Sequence, residues 1–588
     1  MKFLRNVLAT LVGLFLFCGI LFFGIILLGA LFGGNSEKVT VKENSVINLD
    51  LSKVKYDYAG KFNFKDFNYS ESNADGVTDI LNAIEAAKTD DKIKGISILN
   101  NQSILGMAQR RAIREQLESF KASGKFVVAY ANVYSQGEYY MNSVADTVYL
   151  NPVGGLDFKG LATEILYLKD LQDKTGVKME VIRHGKYKSA VEPYLEQHMS
   201  EANREQTTVL LRSIWNTIAE DIAKSRKMTV DSLDGIANRL AARTPNKALA
   251  VGLVDKVVYE DVYHDGIRKA LGVAKEKDYN TIDIVEYAKE TASKLKASSA
   301  KDEVAVIYAQ GQILSGEGSV SHIGEGSVNR ALRKARNNDK VKAIVLRVNS
   351  PGGSALTSDL IWREIELTKK VKPVIVSMGD VAASGGYYIA CNSDRIFADP
   401  STITGSIGVF GMLPNFKQVA DKFGVNAEKV QTHDNASGYS PFRALESKDR
   451  AFITEGVEEI YEVFVNRVAE GRKMTFEQVN DLAQGRVWTG IDALKNGLID
   501  EFGGLDKAIA YAAKKVEISN YKIVNYPEYE VKFEDMLRNL LGVSILKTQE
   551  ELLKEKIGTA NYDLIERLNY FNKAEGTQAL MPFEITIK

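Results

Sequence analysis

The sequence is written twice, and whatever it folds into must be built twice. Asp91-Lys92-Ile93-Lys94-Gly95-Ile96 recurs as Asp339-Lys340-Val341-Lys342-Ala343-Ile344, an offset of 248 residues (91 to 339). Held without gaps, that offset lays Tyr139-Tyr140 on Tyr387-Tyr388, and 13 of the 50 pairs from 91 to 140 are identical. Composition alone would give roughly 3. Further on, Ala250-Val251-Gly252-Leu253-Val254-Asp255 is echoed by Lys495-Asn496-Gly497-Leu498-Ile499-Asp500. The pattern predicts two related domains, 36–284 and 301–525, joined by a helical, Lys- and Ala-rich connector over 285–300. An N-terminal segment, 1–35, precedes them and a tail, 526–588, follows.

Each copy reads as α/β. Val304-Ala305-Val306-Ile307-Tyr308, Ala343 to Val348 and Val374 to Met378 are short apolar, β-branched runs of the kind that form buried strands. Between the last two, Asp359 to Lys369 carries apolar residues at helical spacing (Leu360, Ile361, Ile365, Leu367). Strand, helix, strand implies parallel pairing through right-handed crossovers. The exact topology stays open at this level.

No charged residue interrupts the stretch from Val7 to Phe32. As a helix it is long enough to cross a hydrocarbon core of about 30 Å. Lys2 and Arg5 precede it and its other flank is balanced, so the N-terminus is expected in the cytoplasm and the domains beyond the membrane. The alternative is a cleaved signal peptide. Its apolar region is ordinarily only about 7–15 residues long, and Leu28 spoils the small-residue pattern before a cut at Ala30. The 75 Lys and Arg against 76 Asp and Glu give no basic surface for nucleic acid. Two cysteines exclude a disulfide framework and a Cys-rich metal site, and five histidines leave little for a His-based one. With Cys18 inside the apolar span, Cys391 has no expected intrachain partner.

Divergence between the copies localises the chemistry. In the second copy a strand runs into Asn349-Ser350-Pro351-Gly352-Gly353-Ser354 and then a helix, and paired glycines there can turn backbone N–H groups toward an oxyanion. The first copy has Ser103-Ile104-Leu105 opposite Pro351-Gly352-Gly353. An ordinary Pro-Gly turn is the plainer reading. Ser384 follows another strand among small residues, and its counterpart, Gln136, keeps Gly137, Tyr139 and Tyr140 around it. The scaffold was retained and the hydroxyl was not, which favours a nucleophile over a helix cap. His433 lies in a polar loop, and no G-x-S-x-G elbow surrounds Ser384. Lys188 stands where the second copy has Ala436, so each repeat holds one candidate that the other lacks. A solvated surface lysine is the competing reading.

These residues resemble the signal peptide peptidases of the SppA (protease IV) type, in the long tandem form, over about 40–520. The resemblance is carried by Gly185-x-Tyr187-Lys188-Ser189-Ala190-x-Glu192-Pro193, Ser350-Pro351-Gly352-Gly353, Asp380-x-Ala382-Ala383-Ser384-Gly385-Gly386-Tyr387 and Gly405-Ser406-Ile407-Gly408. It implies two tandem ClpP/crotonase-like α/β domains behind a single transmembrane helix, assembled as a homotetramer on the inner (cytoplasmic) membrane. It implies Ser384 as nucleophile, Lys188 as general base and Gly353 as oxyanion donor beside Gly352. Ser406 would hold the lysine amine, and Gly385 is the candidate second donor. No metal, nucleotide or other cofactor is implied, and the expected substrates are apolar peptides such as remnant signal peptides.

A lysine base must be neutral, although its ordinary pKa is near 10.4; burial among Ala190, Val191, Ala382 and Ala383 would favour that form. Substrate is expected to lie extended on a strand edge, with Gln310-Gly311-Gln312-Ile313 as the candidate edge. A crotonase-like acyl-CoA hydrolase or hydratase and a non-catalytic membrane scaffold are the rival readings. In the tail, Phe533 to Leu541 and Glu550 to Leu568 read as amphipathic helices. The apolar stretch from Ala579 to Ile585 reads as a docked or frayed end, with pairing to a strand edge as the alternative.

Overall fold

The β-branched runs close into two sheets that share one order of six parallel strands. The structure, a computed structural model, describes residues 3, 5, 6, 9–20, 40–64, 69–296, 300–530 and 578–580. The first sheet runs Lys256–Val257, Thr147–Leu156, Phe126–Tyr134, Ile93–Leu99, Ser45–Asn48, Asn280–Asp283. The second has eight strands, six of which run Glu501–Phe502, Arg395–Ala398, Val374–Ala383, Val341–Ser350, Asp302–Gln310, Tyr521–Tyr526. Every neighbour in both lists is parallel. The repeat read from the sequence is therefore a repeat of the fold, and between the two sheets' strands Ile284–Lys296 is a helix.

Local detail repeats as well. Glu201–Arg226 and Ser447–Arg472 are both 26-residue helices, each ended by a left-handed lysine, Lys227 and Lys473. Arg226 pairs with Asp255 and Arg472 with Asp500 at 2.8 and 2.7 Å. Tyr139 donates to Leu253 O at 2.7 Å, and Tyr387 to Leu498 O at 2.8 Å.

In the second sheet, side-chain alternation feeds two cores. Ala305, Ile307, Ala309, Leu346 and Val376 enter one, and Val304, Val306, Tyr308, Val345 and Ile375 the other. Ile403–Gly405 adds a further parallel strand beside Val374–Ala383, and Val487–Thr489 an antiparallel one beyond it. Both faces of the sheet are covered, as buried parallel strands require.

A third sheet crosses between the repeats. Its order is His322–Ile323, Gln312–Ile313, Gly352–Ser354, Gln578–Leu580, Phe410–Asn415, Lys178–Arg183. The last pair, antiparallel with Phe410 opposite Arg183, ties a strand of the first repeat to one of the second. Gln312–Ile313 is paired on both sides, to His322–Ile323 and to Gly353, so it is not the free edge expected from the sequence. Gly311 turns the chain, and the two residues beyond it become an interior strand. The tail residues Gln578–Leu580 do pair with strands, running antiparallel to Gly352–Ser354 within the same chain. This corrects the reading of a frayed end for those residues.

Residues 9–20 are helical. Residues 7, 8 and 21–32 of the expected span lie outside the described residues, as do 533–541, 550–568 and 581–585. Among the described residues no helix is long and apolar enough to cross a membrane.

Candidate active site

Three segments bring their functional side chains together at the carboxyl ends of the second sheet's strands, where α/β folds commonly bind ligands. Strand Val374–Ala383 delivers Ser384 to the start of helix Gly385–Ala390. Ser384 has a φ of 56°, a left-handed backbone that a residue with a Cβ adopts only under constraint. Its N–H donates to Gly405 O, and its carbonyl accepts from Tyr388 N, both at 2.8 Å.

The neighbouring strand Ile403–Gly405 ends at Ser406, also left-handed at 50°, whose N–H donates to Arg486 O at 2.7 Å. Pairing of Ala383 with Gly405 sets the two serines side by side.

Lys188 arrives from the first repeat. Strand Lys178–Arg183 is held by Phe410–Asn415, and the turn after it is tied down by His184 N to Val409 O at 3.0 Å and Tyr187 N to Gln484 O at 2.9 Å. The amide of Gln206 donates to Tyr187 O and Ser189 Oγ at 3.0 and 2.9 Å. Glu192 of the same motif accepts from Asn203 Nδ2 at 2.5 Å and Tyr167 Oη at 3.0 Å.

Lys188, Ser384 and Ser406 all have no solvent exposure. Lys188 Nζ lies 2.8 Å from Ser384 Oγ and donates to Ser406 O and Ser406 Oγ, each at 3.1 Å. All three partners are uncharged oxygens. Burial alone pushes the ammonium well below the ordinary lysine range. The surface-lysine reading is thereby excluded.

The paired glycines sit beside this cluster. Gly352 N–H donates to Ser350 Oγ at 3.2 Å, within the turn. Gly353 has a φ of 154°, and a Cβ there would come within 2.0 Å of Ile313 O, so only glycine permits the pairing. Its other edge faces Gln578–Leu580, with Ala579 opposite Gly353. That short strand fills a slot one strand wide between Gly352–Ser354 and Phe410. Gly385 follows the serine as the first residue of its helix.

Neither histidine near these motifs bonds Lys188 or Ser384. His433 is exposed, 3.0 Å from Thr432 Oγ1. His184 stacks on Tyr461 and bonds Glu458 at 2.6 Å. The sequence reading missed the segment Gln484-Gly485-Arg486, whose backbone supports both Tyr187 and Ser406. Comparing the copies once more could have found it, since the first has Asn238-Arg239-Leu240 at the end of the matching helix.

The description "Peptidase family S49" matches this chain twice, over residues 119–274 and 366–519. One match contains Lys188 and the other Ser384. Protease 4 of Haemophilus influenzae is 37% identical over 493 residues, 81% of this chain and 79% of that one. The chloroplastic serine protease SPPA of Arabidopsis thaliana is 33% identical over 452 residues, 76% of this chain and 66% of that one. A solved structure of a ClpP1 point mutant from Listeria monocytogenes matches over 37% of this chain and 99% of that one, at 14% identity. Its TM-score of 0.24 is too low to carry an argument about the fold. Matched in both repeats and aligned along most of its length with protease relatives, the chain belongs to peptidase family S49 and is a serine protease.

Proposed function

We propose that the chain is a membrane-anchored endopeptidase that degrades apolar peptides, such as remnant signal peptides, with a Ser384–Lys188 dyad. The observation that carries this reading is the 2.8 Å approach of a fully buried lysine amine to a serine hydroxyl with no carboxylate among its partners. A neutral amine has two N–H groups and one lone pair. The two Ser406 oxygens take the N–H groups, which leaves the lone pair aimed at Ser384 Oγ–H.

Ser384 Oγ attacks the peptide carbonyl as its proton passes to Lys188 Nζ. The oxyanion is held by Gly353 N–H, with Gly385 N–H as the second donor. On collapse the C–N bond breaks, and the lysine ammonium gives its proton to the leaving amine. Water then attacks the acyl-enzyme, Lys188 takes the water's proton, and Ser384 leaves protonated. Ser406 orients the amine, as a carboxylate orients the imidazole in a Ser-His-Asp site.

The strand-wide slot beside Gly352–Ser354 is suited to an extended substrate paired on both sides. The uncharged run Val7 to Phe32, with Lys2 and Arg5 ahead of it, supports a single anchor in the inner membrane, with the N-terminus in the cytoplasm and the domains outside. ClpP/crotonase-type ancestry and a homotetramer complete the reading on resemblance.

A serine-directed acylating probe tests it. Peptide mapping is expected to find the adduct on Ser384, and none in a Ser384→Ala chain. Protection by coenzyme A would favour the acyl-CoA rival, and the absence of any adduct would favour the scaffold.

The slot yields a second prediction. A tethered strand competes with substrate at an effective concentration of about mM. Deleting residues 578–588 is therefore expected to lower KM for an apolar peptide ester several-fold with kcat unchanged. An unchanged KM would show that the tail does not compete in solution.

A further inference from the structure

The helix Met107–Ala122 of the first repeat starts at Gly106, which has no side chain to cap it. Its counterpart, Ala355–Lys369, starts at Ser354, whose hydroxyl accepts from Thr357 N at 3.3 Å. Gly106 and Ser354 are equivalent positions at the repeat's offset. The missing cap comes from the other repeat. Asp380 Oδ1 accepts from Gln109 N at 3.1 Å, at the third helical position, where a capping side chain bonds. A Cβ on residue 106 would lie 2.2 Å from Asp380 Cγ, so the carboxylate occupies the space that the first repeat's own cap has vacated.

Asp380 lies on the strand Val374–Ala383, four residues before Ser384. Its Oδ2 is 3.5 Å from Asn349 Nδ2, and Asn349 Oδ1 accepts from Val381 N at 3.2 Å, at the start of the turn into Gly352-Gly353. On the first repeat's side, the capped helix reaches the lysine. Arg111 Nε and Arg114 Nη2 donate to the side chain and the carbonyl of Asp221 at 3.0 and 2.8 Å. Asp221 lies on Glu201–Arg226, the helix whose Gln206 grips the residues on either side of Lys188.

We propose that Asp380 is a positioning residue: by capping a helix of the first repeat from the nucleophile's own strand, it locks the repeats in the register that brings Lys188 to Ser384. The inference rests on the dyad reading above. The charged groups around Asp380 are Asp57, Arg110 with its partner Glu138, and Arg347. Arg347 is itself bound to Asp57 at 2.8 Å and so does not neutralise Asp380 alone. Burial, then Asp57, pushes the Asp380 carboxyl up to about 6.

The test separates capping from locking. Asp380→Ala is expected to lower kcat at least about tenfold with KM within about twofold, since a misplacement near 1 Å can cost about 10²-fold. Asp380→Asn, which keeps an acceptor, should stay within about threefold of the parent. Gly106→Ser combined with Asp380→Ala supplies a cap in cis, and is expected to restore Tm but not kcat. It also keeps the test open if Asp380→Ala alone does not fold. Recovery of kcat together with Tm would overturn the lock, as would an Asp380→Ala chain with parental kcat, or an Asn variant as slow as the Ala one. Mapping the acyl adduct in the same chains keeps the two readings apart. Slower labelling still confined to Ser384 supports the lock, whereas a parent chain unlabelled at Ser384 removes the dyad on which it rests.

Discussion

Replacing Lys188 with Met, Ala or Arg is expected to lower kcat/KM on an apolar peptide ester by about 10³-fold or more, the range lost when an essential base is removed. Each substitution fails for its own reason. Met and Ala offer no basic nitrogen to take the Ser384 proton, and Arg has a guanidinium that stays charged. The burial that lowers the lysine's pKa leads to two expected pH dependences. On the proposed dyad activity needs the neutral amine, so the rate is expected to fall as pH drops through the lowered lysine pKa.

The stability effect has the opposite sense from a salt bridge. Between the folded pKa and the ordinary value near 10.4, the unfolded chain binds a proton that the folded chain does not. Stability therefore rises with pH across that window, and the buried amine costs stability on its acid side. Lys188→Met is accordingly expected to melt later than the parent at pH 7 while being inactive. Calorimetry alongside an ester assay checks both signs. A Met variant that turns over substrate would exclude Lys188 as the base, and one that melts earlier would show that the amine's hydrogen bonds outweigh its desolvation.

That Lys188 and Ser384 belong together could be read from the sequence because the chain carries its own comparison, whereas Ser406 entered only with the family resemblance. Where one copy keeps Gly, Tyr and Tyr around a position and exchanges Gln136 for Ser384, the fold has been held constant while the chemistry changed. The parallel α/β class was legible for a related reason: buried strands and the helices between them leave local apolar patterns. Pairings between distant segments leave none. Nothing in Lys178–Arg183 announces that Phe410–Asn415 is its partner, yet that ladder carries the lysine to the serine. The supposed edge at Gln310-Gly311-Gln312-Ile313 failed likewise. Its residues suit an edge or an interior strand equally, and only the positions of Gly353 and His322 decide between them. The tail's Gln578–Leu580 had local β character, but not the identity of the strand it would join.

The support that the sequence reading passed over is the backbone at Gly485, and substituting it should have the second-largest effect. Gly485→Ala is expected to reduce kcat by about 10²-fold, the cost of moving a catalytic group by roughly 1 Å. The residue has a φ of 77°, and its N–H donates to Ile407 O at 2.8 Å, within the segment that follows Ser406. A Cβ there would stand 2.6 Å from Lys188 Cβ and 2.7 Å from both its Cα and its N, so no flexible side-chain end is available to yield. Lys188 itself must move, and the contact with Ser384 Oγ moves with it. Left-handed strain alone, about 1–2 kcal/mol for a residue with a Cβ, would lower Tm without touching catalysis. Gly252 isolates that part: its φ is 79°, and a Cβ there meets nothing within 4 Å. Gly252→Ala should therefore lose comparable stability and keep its kcat. Equal kcat losses in the two chains would mean that backbone strain, and not displacement of Lys188, slows the enzyme; a loss confined to Gly485→Ala would trace the lysine's placement to the bare Cα beneath it.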